Sequence, residues 1–141
     1  MSQPKMEDAR LAPTPRPGTS KQRKVVDSLV PLLLLELRSQ IHSLVLFGSV
    51  ARGEARPDSD VDILVLTEAP IAVRQRIDEI SYDIDLENTV FTQLVVLTTK
   101  NFEAETRMRS YFSSDIFRDG IVLHDDGTYQ RIRKQASSAI S

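Results

Sequence analysis

Three short apolar segments, at 43–47, 61–66 and 90–97, do most to limit how this chain can fold. Each is too short for an ordinary helix, and the last two are rich in β-branched residues, so all three read as strands. Around them, apolar residues recur at helical spacing. Val25, Val26, Leu29, Leu33 and Leu37 predict a helix over 21–40, and Val73, Ile77, Ile80 and Ile84 predict another over 70–87, with Pro70 at its start. Met108, Phe112 and Ile116 lie four apart and predict a third helical stretch stopping at Gly120. Residues 121–123 then suit a short edge strand, and Asp125-Asp126-Gly127 a turn. Strands alternating with helices give an α/β (α+β) fold, a small mixed sheet flanked by helices. Pro31 falls inside the first helix and must either kink it or open a second one. The run Leu32 to Leu35 is apolar on more than one face, which suits burial on two sides or a dimer contact.

At 141 residues the chain fits one domain with a real core. Residues 1–20 carry Pro4, Pro13, Pro15, Pro17 and Gly18 with few large apolar groups, and read as a disordered arm. The domain is expected over 21–127 and a polar tail over 128–141. There is no cysteine, which excludes disulfides, thiolate metal sites and a cysteine nucleophile, and the two histidines, His42 and His124, are too few for a histidine-rich metal site. A net charge of -2 argues against a basic nucleic-acid coat. Arg107, Arg109, Arg118, Arg131, Arg133 and Lys134 make the C-terminal region locally basic; a solvated surface is the preferred reading, and nucleic acid stays an open partner. No apolar run is long enough to span a membrane and no secretory core is present, so no membrane association and a cytoplasmic location are expected.

The chemistry concentrates in 46–65. A strand ends at Gly48, where the backbone can approach a ligand closely, and Ser49 adds a hydroxyl at the start of a short turn; a phosphate would fit there. Neither the Gly-x-Gly-x-x-Gly pattern nor a Walker lysine motif occurs, so the phosphate would not be held as in dinucleotide or P-loop folds. Asp60 and Asp62 follow. Side chains two apart on a strand share a face, so both carboxylates would project beside the glycine bend. Unpaired they repel, and a hard divalent cation shared with phosphate relieves that repulsion. A cradle plus a carboxylate pair describes a nucleoside triphosphate site. Either half alone is weak: a Gly-Ser turn is usually a turn, and 58–60 could be a solvated loop capped by Ser59.

Gly48-Ser49-x-Ala51-Arg52-Gly53 followed by Ser59-Asp60-x-Asp62-Ile63 resembles the motif of the DNA polymerase β-like nucleotidyltransferases, and most of all their small, single-domain "minimal" members. The resemblance implies that Gly48, Ser49, Arg52, Gly53 and Ser59 belong to the nucleotide-binding set and that Asp60 and Asp62 hold Mg²⁺ or Mn²⁺. It implies transfer of a nucleoside monophosphate from ATP or another nucleoside triphosphate to a hydroxyl acceptor on a partner protein, a nucleic acid or a small molecule. Arg52 either meets phosphate or pairs with a nearby acid.

Members of that superfamily usually carry a third carboxylate on a later strand, and the segment 90–97 has none. Gln93 can coordinate only weakly through its carbonyl and cannot act as a base. Asp83, Asp85 and Glu87 lie upstream on the predicted helix, where a solvated face is the simpler reading. Asp85 is the best candidate for a third catalytic acid, provided that the helix ends early and the chain turns inward. Two outcomes follow from the resemblance: an active transferase with an unusual third ligand, or a catalytically weak, antitoxin-like nucleotide-binding module. The resemblance also implies a HEPN-type partner protein or a homo-oligomer, which would recognise the acceptor.

Overall fold

The computed structural model describes residues 17–140. Most of the arm expected over 1–20 lies outside the described residues. The elements run α1 (Ser20–Leu37), a short 3₁₀ turn (Arg38–Gln40), β1 (Ser43–Phe47), α2 (Gly48–Arg52), β2 (Val61–Leu66), α3 (Ile71–Asn88), β3 (Thr92–Leu97), α4 (Thr99–Arg107), α5 (Tyr111–Asp119), β4 (Ile121–Asp125) and α6 (Thr128–Ile140).

The strands form one mixed sheet in the order β3-β2-β1-β4. β1 runs antiparallel to both of its neighbours, and β2 pairs parallel with β3 through the α3 crossover. Central β2 is buried on both faces, which explains its nearly unbroken apolar run. Alternation sends Leu44, Leu46, Val61, Ile63 and Val65 to one face, where Val25, Leu29 and Leu33 of α1 and Ile77, Ile80 and Ile84 of α3 cover them. Val45, Leu64 and Leu66 point the other way, against Phe102 of α4, Ile116 of α5, and Tyr129 and Ile132 of α6. Each such buried side chain contributes about 2 kcal/mol of burial.

Local chemistry sets the element ends. Thr19 caps α1, accepting from Gln22 N–H at 3.2 Å, while Gln22 Oε1 accepts from Thr19 N–H at 2.8 Å. Pro31 neither ends α1 nor opens a second helix; it sits on the exposed side of a helix that continues to Leu37. Of the leucine run, Leu33 is buried while Leu35 is 85% exposed, so the core takes only part of it. The helical stretch expected around Met108 is in fact two helices. Met108 and Arg109 break it, Arg109 with φ +51°, and Ser110 caps α5 by accepting from Ser113 N–H at 3.1 Å. β3 begins two residues later than expected, at Thr92, and β4 occupies the predicted edge but extends to Asp125. The stretch expected as a polar tail from 128 onward is corrected most: it forms α6 and buries Tyr129 and Ile132. Among the described residues no helix is long and apolar enough to cross a membrane.

Candidate active site

β1 delivers the chain to Phe47, which lies opposite Asp62 of β2 in the antiparallel register. The next residue, Gly48, has φ +75°, and a side chain there would collide with Asp62 Oδ2 and stand 3.1 Å from Asp62 Cγ. Glycine is therefore required twice at this bend, for its left-handed backbone and for the carboxylate pressed against it. Asp62 is half-buried. Its carboxyl is held above the usual carboxylate value, first by burial and then by the negative charge of Asp60, while the Arg52 guanidinium pulls the other way. The expected juxtaposition is present: the serine-bearing bend and the acidic couple share one corner of the sheet.

The remaining motif residues frame this corner. Gly53 closes α2 with φ +75°, its N–H bonded to Val50 O at 3.1 Å; with open space around its α-carbon, it is the backbone turn that needs glycine here. Arg52 meets an acid, with Nε 2.9 Å from Glu54 Oε1. Ser59 closes a tight turn: its Oγ accepts from Arg56 N–H at 2.9 Å and its own N–H donates to Arg56 O at 3.0 Å.

Asp85 is not brought to this corner. The early helix end it required does not occur, since α3 continues to Asn88. Its carboxylate accepts from Thr92 N–H at 2.8 Å and Thr92 Oγ at 2.6 Å, tying α3 to the start of β3. Thr92 shares the alternation of Leu94 and Val96, which pack on the α1 and α3 side, whereas Asp62 shares that of Leu64 and Leu66 on the opposite face. The β3 residue paired with Asp62 is Gln93, exposed and in line with Val95 and Leu97 on the Asp62 face. Among the described residues no group of three or more His, Cys, Asp or Glu could hold a metal ion. The corner offers two carboxylates and an amide.

One residue at this corner escaped the sequence reading. Gln22 of α1 is fully buried, and its Nε2 donates to Arg56 O at 2.9 Å and Ser59 O at 3.1 Å. The spacing Thr19-x-x-Gln22 is legible as a capping box. The second use of the amide, 34 and 37 residues away, left no local signal.

Comparison with known proteins places the chain in a family. A family model described as a nucleotidyltransferase domain matches residues 21–123. A relative from Methanocaldococcus jannaschii, named as a protein adenylyltransferase, is 26% identical over 107 residues, covering 73% of this chain and 98% of the relative. Among solved structures, a toxin-antitoxin with AMP-PNP superposes with a TM-score of 0.52 at 17% identity, over 79% of this chain and 84% of that one. A spectinomycin adenyltransferase from Enterococcus faecialis, with ATP and spectinomycin, superposes with a TM-score of 0.55 at 14% identity, over 86% and 67%. At such identities the two structures speak for the fold alone. With the family model spanning most of its length, the chain belongs to the nucleotidyltransferase domain family, and it is a nucleotidyltransferase with the DNA polymerase β-like fold.

Proposed function

We propose that this chain transfers the adenylyl group of ATP to a hydroxyl of a partner protein, using Mg²⁺ or Mn²⁺ at Asp60 and Asp62. The observation that carries the reading is the Asp62 carboxylate pressed against Gly48 with the charge of Asp60 beside it. Two carboxylates crowded at a half-buried bend are the donor set a hard cation takes in company with phosphate. When bound, the cation supplies charge neutralisation for the triphosphate. The relative's name supports adenylyl transfer to protein, and the toxin-antitoxin neighbour supports a protein partner.

In the proposed reaction the acceptor hydroxyl oxygen attacks the α-phosphorus. The bond from that phosphorus to the α,β-bridging oxygen breaks, and pyrophosphate leaves. Gly48 and Ser49 hold the triphosphate at the bend, while Gly53 and Ser59 shape the turns on either side. Arg52 balances charge near Asp62. Asp85 has no part in the transfer; it fixes α3 to β3. Gln93 cannot accept the hydroxyl proton, which passes to solvent or to a group on the acceptor. Gln93 also favours a second reading: a nucleotide-binding module that masks a HEPN-type partner without modifying it.

Calorimetry with a non-hydrolysable ATP analogue tests the site. Mn²⁺ should tighten binding by at least about tenfold, and Asp60→Asn combined with Asp62→Asn should abolish that tightening. Equal, metal-independent binding in both proteins would overturn the proposal. Mass spectrometry of a HEPN-type partner protein incubated with this chain and ATP separates the two readings: an added adenylyl mass supports transfer, and a partner bound but unmodified supports masking.

A further inference from the structure

We propose that Gln22 is a positioning residue of this site: from the first turn of α1, its amide fixes the peptide group that leads into Asp60. The inference rests on the reading of Asp60 and Asp62 as metal ligands. The Ser59 carbonyl, which accepts from Gln22 Nε2 at 3.1 Å, belongs to the same peptide group as the Asp60 nitrogen. Holding that carbonyl limits rotation of the backbone that aims the Asp60 side chain. The same Nε2 reaches Arg56 O at 2.9 Å, the carbonyl that also receives Ser59 N–H, so one amide grips both ends of the turn.

The grip is pre-set. Gln22 is fully buried, and its Oε1 is occupied by Thr19 N–H at 2.8 Å, which orients the amide with its two donors toward the loop. The loop it holds is otherwise open: Gly53, Glu54, Arg56, Pro57 and Asp58 are exposed. The same stretch of chain also supports the other half of the site. The backbone at Gly18 lies against buried Val50 of α2, close enough that a Cβ at 18 would stand 3.0 Å from Val50 Cγ1. The chain from Gly18 to Gln22 thus lies against both α2, which carries Ser49, and the turn that ends at Ser59, just before Asp60. Outer groups that orient metal ligands typically govern metal affinity by 10–100-fold.

The test uses the full chain and reads the ratio of binding constants for a non-hydrolysable ATP analogue with and without Mn²⁺. Gln22→Met keeps the length and burial of the side chain and removes its hydrogen bonds; the Mn²⁺-dependent tightening should fall by about tenfold. Gln22→Glu keeps the acceptor for Thr19 and loses both donors, and should lower it at least as much. Thr19→Ala, which weakens the helix cap alone, should lower Tm and leave the ratio unchanged. A folded Gln22→Met variant with the wild-type ratio would overturn the inference. Should both Gln22 variants unfold, the wild-type side-chain amide is read directly by NMR. Slowly exchanging Nε2 protons that shift on adding Mg²⁺ with the analogue support the role, and fast-exchanging, unshifted protons overturn it. Loss of the ratio in the Asp60→Asn, Asp62→Asn double variant alone leaves the metal site standing and the Gln22 role refuted; a wild-type ratio there refutes the metal site itself.

Discussion

The two ends of β1 handle carboxylates in opposite ways. At the Phe47 end, Asp62 is half-buried beside another acid, and its carboxyl is pushed up by burial and by the charge of Asp60. At the His42 end, burial also acts against the Asp126 carboxylate, but the Thr128 hydroxyl and N–H and the His42 ring outweigh it and hold the group down at about 2. His42 Nδ1 lies 2.7 Å from Asp126, its Nε2 lies 3.1 Å from Glu68, and Asp126 N–H bonds back to His42 O. Here the carboxylate is satisfied by hydrogen bonds, and the group joins β1 to the turn before α6. The difference is instructive: where a fold satisfies its acids it is holding itself together, and where it crowds them it leaves room for a ligand's charge.

The largest expected effect comes from crowding the Phe47 end further. Gln93→Asp places a third carboxylate on the β3 position paired with Asp62. Mn²⁺ affinity in the presence of a non-hydrolysable ATP analogue should rise about tenfold, while the metal-free protein should lose Tm from added like-charge repulsion. Titration calorimetry and thermal melts measure the two together. Unchanged affinity would show that position 93 does not face the acidic couple.

Asp85 is the next way to sharpen the contrast, because it is an acid of the satisfied kind placed near the crowded end. Asn keeps one acceptor oxygen and loses the other, so Asp85→Asn, which breaks one of the two bonds to Thr92, should destabilise the protein by about 1 kcal/mol. The same variant should leave the metal-dependent tightening of nucleotide intact. Denaturant melts and calorimetry on one preparation read both; lost metal response at normal stability would return Asp85 to the site.

These contrasts also mark what the sequence could reveal. The bounds of β1 and β2 were legible because both strands are buried and sharply flanked, β1 by Gly48 and β2 by Asp60. The meeting of Gly48 with Asp62 was legible because it follows from strand register, a nearly local property. Asp85 was misjudged because its side of the sheet depends on where α3 packs, which spacing along the chain does not specify. α6 was missed because Tyr129 and Ile132 are two apolar anchors in a polar stretch, and only the aromatic cluster of Phe102 and Phe117 beside Tyr129 makes them a core face. The break before α5 was missed because Ser110 competes for the backbone as a cap, breaking an otherwise helical spacing at Met108.

Breaking the satisfied end should have a smaller, pH-dependent effect. A carboxylate whose folded pKa lies below its unfolded value contributes stability above the unfolded value and loses it as pH falls through the folded one. For Asp126 that window runs from near 4 down to about 2. Asp126→Asn should therefore lower Tm at pH 7 by a few degrees, and the gap to wild type should close as pH approaches 2. A gap constant from pH 7 to pH 2 would mean that the carboxylate's charge is not what the turn uses.

The smallest effect tests the crowded end with its sign reversed. The carboxyl of Asp62 titrates above its unfolded value, so its contribution is present at low pH and is lost as pH rises through the folded pKa. Replacing it by a neutral group of the same shape removes that loss. Metal-free Asp62→Asn should thus match wild type at pH 3 and melt slightly higher at pH 7, the opposite order to Asp126→Asn. Excess Mn²⁺ with a non-hydrolysable ATP analogue should then reverse the ranking at pH 7, since only the wild type gains stability from the ligand. Melting curves at the two pH values, with and without that pair, decide it. If metal-free Asp62→Asn melts below wild type at pH 7, the two carboxylates at this bend are held by the protein itself, and the two ends of β1 are alike after all.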